Sequence, residues 1–470
     1  MAVACGDDFT AAVMEEGGVA QLVLGRCEDQ LLSETGCVRG ADEVFDGKAI
    51  MVAAGRAHIA CVAADGACVW TWGAGGWGQL GHGDEESRKR PLQLGKELFG
   101  ESPAVMVACG HNHTLVLTAC GRVFSCGCGG CGQLGHGDTS DQLLLMLVAA
   151  ERLEESQIVM VAAGEMHSVA LGADGGVWTW GAGYNGRLGH NDAHERLVPT
   201  ALGGDEALDG ATVVFVSTRG AHTLAVTKHG VLWAWGWGLF GQLGLGDVAN
   251  RLAPARVGGQ EVFGSPVLVA ACGYYHTLAV TEDGSLYSFG RGKDGALGHS
   301  NNSKNRLVPT CVPPHLFGNA KIVSAAGGFN HSAALDQNGA LFTWGGGHSD
   351  AHRQRLPTRV ALQGALVGRC RILPPLNALA FAMGTHARLG SVAPTAAAAG
   401  GSSQRRSQRQ QGKAPAVADN GKDCEYVTMP GELVQRVVAA CLSWPEGQEG
   451  ELEGVVRLLG GGMMKTGGST

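Results

Sequence analysis

The sequence predicts an all-β protein: a seven-bladed β-propeller followed by a short C-terminal helical appendage. Three observations predict it. Six histidines, His58, His113, His167, His222, His276 and His331, recur at spacings of 55, 54, 55, 54 and 55 residues. A period of that length marks a repeat architecture, in which each copy is one supersecondary unit. Seven dipeptides suited to a tight hairpin lie at matching places: Glu16-Gly17, Asp65-Gly66, Cys120-Gly121, Asp174-Gly175, His229-Gly230, Asp283-Gly284 and Asn338-Gly339. Glycine supplies 76 of 470 residues, more than double ordinary usage of about 7% and without a collagen period.

Each copy is justified in order. After the histidine comes an apolar, β-branched stretch such as Thr277-Leu278-Ala279-Val280-Thr281. The Asp-Gly or Asn-Gly turn suits type I′, with φ > 0 at both central residues. Alternation follows, as in Val69-Trp70-Thr71-Trp72, so two aromatics share one strand face. An aspartate or asparagine then precedes a proline by seven residues: Asp84 and Pro91, Asp192 and Pro199, Asp247 and Pro254, Asn302 and Pro309, Asp350 and Pro357. In the third copy Asp138 precedes Leu145 instead. Proline suits an edge strand, where its missing N–H faces away from the ladder. Each copy is thus a small sheet, and radial packing buries both faces of all seven. The first copy is degenerate, with Phe9 in the histidine slot, and the seventh is shortened.

Composition narrows the function. The net charge of −8 disfavours direct sequence-specific nucleic-acid binding, which needs a basic stripe. No run of eighteen apolar residues occurs, so no membrane span is expected. Asp7 and Asp8 interrupt the start of the chain, so no signal peptide is expected. Fifteen cysteines then suggest free thiols and a cytoplasmic or nuclear protein.

The stretch Val123–Asp138, VFSCGCGGCGQLGHGD, raises the question of a metal site. Set against residues 70–84, it registers without a gap: Cys126 takes the slot of Trp72, Cys128 that of Ala74 and Cys131 that of Trp77. A closed zinc site wants four ligands, and C-x-C-x-x-C supplies three, so these cysteines are expected to be structural. The repeated histidines lie on separate blades, too far apart to share an ion. Each is expected to bond to the backbone of its own blade, and the loop residues His82, His136, His190 and His299 to recur for a similar reason. No metal and no cofactor is expected.

The repeats resemble those of the regulator-of-chromosome-condensation family. The stretch Gly273–Ser300, GYYHTLAVTEDGSLYSFGRGKDGALGHS, carries the resemblance, with counterparts such as GEMHSVALGADGGVWTWGAGYNGRLGHND. It covers about residues 1–390, the propeller domain. The family fold is a seven-bladed propeller. Residues 381–390, FAMGTHARLG, form a stray half-copy expected to close the ring near the N-terminal blade. Residues 391–423 read as a low-complexity linker, and 424–470 as a short helical segment, with Leu433, Val437 and Cys441 at helical spacing.

The resemblance implies guanine-nucleotide exchange on the small GTPase Ran. In the family's exchange factor acidic side chains lie in the G-x-x-H loops of neighbouring blades. Here those loops hold Asp7 and Asp8, Arg56 and Ala57, His111 and Asn112, Glu165 and Met166, Gly220 and Ala221, Tyr274 and Tyr275, Phe329 and Asn330. Acids occur only in the first and fourth copies, which are not adjacent. The family's plant UV-B photoreceptor repeats tryptophan in these loops, and none is present here. No nucleophile elbow, Walker loop or paired carboxylates appear, so no bond-making or bond-breaking chemistry is expected. The sequence therefore points to a non-catalytic interaction propeller that binds a protein partner through one face. The expected face is Asp8, Arg56, His111, Asn112, Glu165, Met166, Tyr274, Tyr275, Phe329 and Asn330, since aromatics and arginine anchor interfaces. The alternative is an exchange factor for a Ran-like GTPase.

Overall fold

A computed structural model describes residues 3–360, less residues 14–18, 24–35, 39–48, 64–67, 101, 149–152, 154–155, 204–206, 259, 300–303 and 347–353. The described residues form seven four-stranded antiparallel sheets, each built from consecutive strands. Sheet one spans Val3–Val38, sheet two Ala49–Leu94, sheet three Ala104–Leu147 and sheet four Ile158–Ala201. Sheet five spans Val213–Arg256, sheet six Val267–Cys311 and sheet seven Ile322–Arg359. The first strands of all seven line a narrow central channel, with a cavity of about 110 Å³ walled by Ala4, Ala54, Ala108, Ala163 and Ala271 among others. Small side chains there let seven strands converge. Helix is confined, among the described residues, to one turn at Gln260–Phe263, the single residues Leu153 and Ser156, and three short 3-10 turns.

The expectation of a seven-bladed propeller needs correction. Six sheets are full blades with strands of five to seven residues, whereas sheet one is reduced, its first and fourth strands, Val3–Cys5 and Gly36–Val38, having three residues each. The sequence of the first copy lacks the G-x-L-G motif that leads to the outer strand in other copies. After that motif Asp84, Asp192 and Asp247 accept the N–H two residues on, at 2.9, 3.0 and 3.0 Å. They also pair with Arg88, Arg196 and Arg251 at 2.6, 2.7 and 2.7 Å. Each clamp sets the start of an outer strand.

The turn type also differs. Gly121, Gly175, Gly230, Gly284 and Gly339 have positive φ, but the residues before them do not. Gly121 N–H donates to Thr118 O at 2.9 Å and Thr118 N–H to Arg122 O at 3.0 Å. This is a type I turn closed by a glycine bulge rather than type I′.

The repeated histidines do not bond within their own sheet. Each Nε2 meets a hydroxyl on the next sheet: His58–Thr114 at 2.9, His113–Ser168 at 3.1, His167–Thr223 at 3.0, His222–Thr277 at 3.0 and His276–Ser332 at 2.8 Å. His331 reaches Thr10 at 3.2 Å and so joins the last sheet to the first. The Thr114 hydroxyl donates to Gln79 O at 2.7 Å, so it accepts from a protonated His58 Nε2. The other set behaves differently. His82, His136, His190 and His299 meet Thr71, Ser125, Thr179 and Ser288 of their own sheet at 2.8–2.9 Å.

The second aromatic of the third strand is fully buried at Trp72, Trp180, Trp235, Phe289 and Trp344. It packs on the loop of the preceding sheet so closely that a β-carbon at Gly135 would lie 2.9 Å from Trp180 Nε1. Cys126 fills this slot in sheet three, fully buried, as its register implied. The expected linker, the helical segment and the ring-closing residues 381–390 lie outside the described residues. Both terminal sheets take all four strands from Val3–Val38 and Ile322–Arg359 respectively.

Candidate functional site

The G-x-x-H loops join the first and second strands of each sheet and ring one mouth of the channel. Backbone bonds stitch them together. Asp7 N–H donates to Arg56 O at 3.2 Å, Arg56 to His111 O at 3.4, His111 to Gly164 O at 3.2, Glu165 to Gly220 O at 3.1 and Tyr274 to Gly328 O at 2.9. The side chains fall into two groups.

The first group is polar. Arg219 takes the glycine slot of the fifth loop and reaches across the mouth to sheets one and two. Its Nη1 donates to Cys5 O, and to Ala54 O at 3.2 Å. Its Nη2 donates to Asp7 Oδ1 at 3.2 Å. Arg56 Nε and His111 Nε2 stand 3.9 and 4.0 Å from Asp7 Oδ2. Burial raises the Asp7 carboxyl, and Arg219 opposes that shift. Burial lowers the His111 imidazole. Asp8 is half-buried beside this group.

Glu165 is engaged separately. Tyr274 Oη donates to Glu165 Oε1 at 2.6 Å, and Arg187 Nη1 lies 3.6 Å from Oε2. Arg187 is only 1% exposed and stacks on the Tyr184 ring at 3.9 Å. It stands where other sheets have Gln79, Gln133 and Gln242, whose side chains cap the loop. Burial, then Glu165, raises the Tyr274 phenol. Tyr274 belongs to sheet six and Glu165 to sheet four, so their bond passes over sheet five. It does so because Gly220 and Ala221 leave that loop without bulk. A β-carbon at Gly220 would lie 2.5 Å from Tyr274 O. Gly220→Ala is therefore expected to displace Tyr274 and to destabilise the protein by about 1–3 kcal/mol, the usual range for overpacking. Thermal melts of Gly220→Ala and Tyr274→Phe check this; an unchanged Gly220→Ala melt contradicts it.

The second group is aromatic. Tyr274, Tyr275 and Phe329 contact one another with ring centroids 4.6–5.1 Å apart. Tyr275 continues the cluster to Trp237 at 5.7 Å and Phe240 at 5.3 Å, which meet at 5.4 Å. Arg291 lies over Tyr275 at 4.7 Å and over Phe240 at 5.5 Å, and pairs with Asp294 at 3.3 Å. All five rings are half-buried, with Leu239, 52% exposed, on the same loop as Trp237 and Phe240.

The structure thus brings Tyr274, Tyr275 and Phe329 together as expected, with Asn330 next to Phe329 on the same loop. It separates Arg56, which belongs to the Asp7 group; the arginine on the aromatics is Arg291. Met166 instead touches Tyr184 Oη at 2.9 Å and Cys131 Sγ at 3.9 Å, and Asn112 is half-buried beside His111. Arg219, Trp237, Phe240 and Arg291 escape a search confined to the two variable loop positions. The register of Trp237 with Ala74, and of Phe240 with Trp77, is the signal that points to them.

The fold and face define an RCC1-type propeller. A family model of the RCC1-like domain matches residues 1–263, and two models of the Regulator of chromosome condensation (RCC1) repeat match residues 269–296 and 283–335. The chain belongs to this family. It is 38% identical to the Ultraviolet-B receptor UVR8 of Arabidopsis thaliana over 309 residues, 65% of this chain and 67% of that protein. Human WBSCR16 superposes with a TM-score of 0.59 at 30% identity, covering 67% of this chain and 82% of that one. Prp20p of Saccharomyces cerevisiae, a protein with binding properties to Gsp1p and histones, superposes with a TM-score of 0.60 at 25% identity, covering 70% and 80%.

Proposed function

We propose that this chain is a non-catalytic protein-interaction propeller that binds a protein partner through the G-x-x-H face. The carrying observation is the contiguous cluster of Tyr274, Tyr275, Phe329, Trp237 and Phe240 with Arg291 stacked on it. Such a patch offers large rigid side chains with little entropy to lose on binding. The binding of Prp20p to Gsp1p and histones supports a protein as the partner class.

Exchange on a Ran-like GTPase is the rival. Asp7 and Glu165, acids of the G-x-x-H loops, are already engaged within the ring: Asp7 by Arg219, and Glu165 by Tyr274 and Arg187. An acid so engaged must break a buried bond to meet a partner. Release of labelled GDP from Ran is the direct test, and no acceleration by the intact chain is expected. A many-fold acceleration that disappears in Asp8→Ala/Glu165→Ala would replace this proposal with the exchange reading. Ultraviolet-B reception, the role in the name of the plant relative, finds no tryptophan in any G-x-x-H loop here.

A further inference from the structure

The outer strand of sheet three, Gln142–Leu147, is unlike the other outer strands of the full blades. Five of them carry proline at one position, Pro91, Pro199, Pro254, Pro309 and Pro357, where sheet three has Leu145. Its sequence, QLLLML, is also uncharged, whereas the others carry arginine.

The ladder fixes what the proline slot does. Val148 N–H donates to Val123 O at 2.8 Å, and Met146 pairs with Ser125. Antiparallel alternation then turns the N–H and C=O of Leu145 and Leu147 outward. Proline has no outward N–H to offer at that place; Leu145 restores one. The strand is at the edge of its sheet. Leu143 is covered, since Gly83 N–H donates to its carbonyl at 2.9 Å. Beyond it Leu144, Met146 and Leu147 are 53%, 44% and 40% exposed. Trp77, 48% exposed, adjoins Gly78, whose β-carbon position lies 2.7 Å from the Leu143 Cα.

We propose that this edge pairs with the same edge of a second copy of the chain, antiparallel about a two-fold axis at Met146. Leu145 of each copy then faces Leu147 of the other and exchanges N–H···O=C bonds with it. Met146 meets its own symmetry mate and Leu144 faces Val148 of the other copy, the self-complementary arrangement that a two-fold interface requires. Charge favours a second copy at this strand over its equivalents. At a net charge of −8 two copies repel in general, but the uncharged strand sets no like charges against each other. Arg251–Arg256 paired the same way would set the Arg256 side chains of the two copies diagonally across the axis on one face. Unpaired apolar edges of this kind are those that other proteins blunt with proline or charge. The surface is independent of the G-x-x-H face.

Sedimentation equilibrium of the full chain tests this, from about 1 to 100 µM, because association of this kind depends on concentration. The expected result is a shift from one chain toward two. Leu145→Pro should abolish the shift and keep the parent melt, since five other blades tolerate proline there. Leu144→Lys/Met146→Lys, on exposed side chains, should abolish it as well and decides the matter if the proline variant fails to fold. A chain that stays monomeric over the whole range overturns the proposal, as does a dimer that survives in either folded variant.

Discussion

Acidification from about pH 7.5 to about pH 5.5 is expected to unfold the ring or bring it close to unfolding, because proton uptake then favours the unfolded chain. The six histidines that tie one sheet to the next are fully buried. Burial pushes His58, His113, His222, His276 and His331 down to about 3, and His167 well below its usual value, with neighbouring cations adding to the effect. In the unfolded chain they titrate near 6.5. Between those values the unfolded state binds more protons. The stability they contribute is therefore fully present above pH 6.5 and is lost as the pH falls toward 3. At pH 5.5 each costs about 1.4 kcal/mol, and six together on the order of 8 kcal/mol. That is comparable with the whole stability of an ordinary domain, about 5–15 kcal/mol. Protonation would also force a second proton onto the Nδ1 atoms, which have no hydrogen-bond partner in the ring. Urea midpoints measured across this pH range check the expectation. A midpoint that does not move between pH 7 and pH 5.5 would show that the histidines are not held neutral by the fold.

The triple substitution Tyr274→Ala/Tyr275→Ala/Phe329→Ala is expected to abolish partner binding while leaving the ring assembled. These side chains touch one another across sheets six and seven, and all three lie on loops rather than in the strands. Anchors of this type typically contribute about 2 kcal/mol or more each, so losing even two lowers affinity by several hundred-fold or more. Trp237→Ala should weaken the same partner, because its ring stacks on Tyr275 at 5.7 Å. Asp8→Ala should have a small effect, since Asp8 lies with the polar group and not with the rings. Isothermal titration against the captured partner separates these variants. If the aromatic variants bind as the parent does and Asp8→Ala does not, the contact surface is the polar group around Asp7.

Much of the propeller was legible because it is written many times. Six histidines in register, an aromatic pair after most turns and an aspartate or asparagine before most outer strands all recur in independent copies. Repetition also settled the cysteine-rich stretch: Cys126 sits buried in the slot that Trp180 and Trp235 fill elsewhere. The turn type departs from expectation because Asp-Gly suits two hairpin geometries, and which forms depends on where the strands bond. The histidine bonds depart from it for a related reason. Strand period says which way His58 points, but not that Thr114 of the next sheet stands 2.9 Å from it.

By itself the sequence determined the repeat, the all-β class, the central hairpin and outer strand of each copy and the membership of Tyr274, Tyr275 and Phe329 in one face. Each of these follows from local spacing, which the chain carries along its length. Only the tertiary structure decided what meets across the ring. Arg219 was hidden in a glycine slot, yet it bridges sheet five to sheets one and two. Arg291 joins the aromatics while Arg56 does not, and Gly220 matters because its missing side chain lets Tyr274 reach Glu165. Contacts between sheets depend on the angle and closure of the whole ring, and no window of neighbouring residues encodes them.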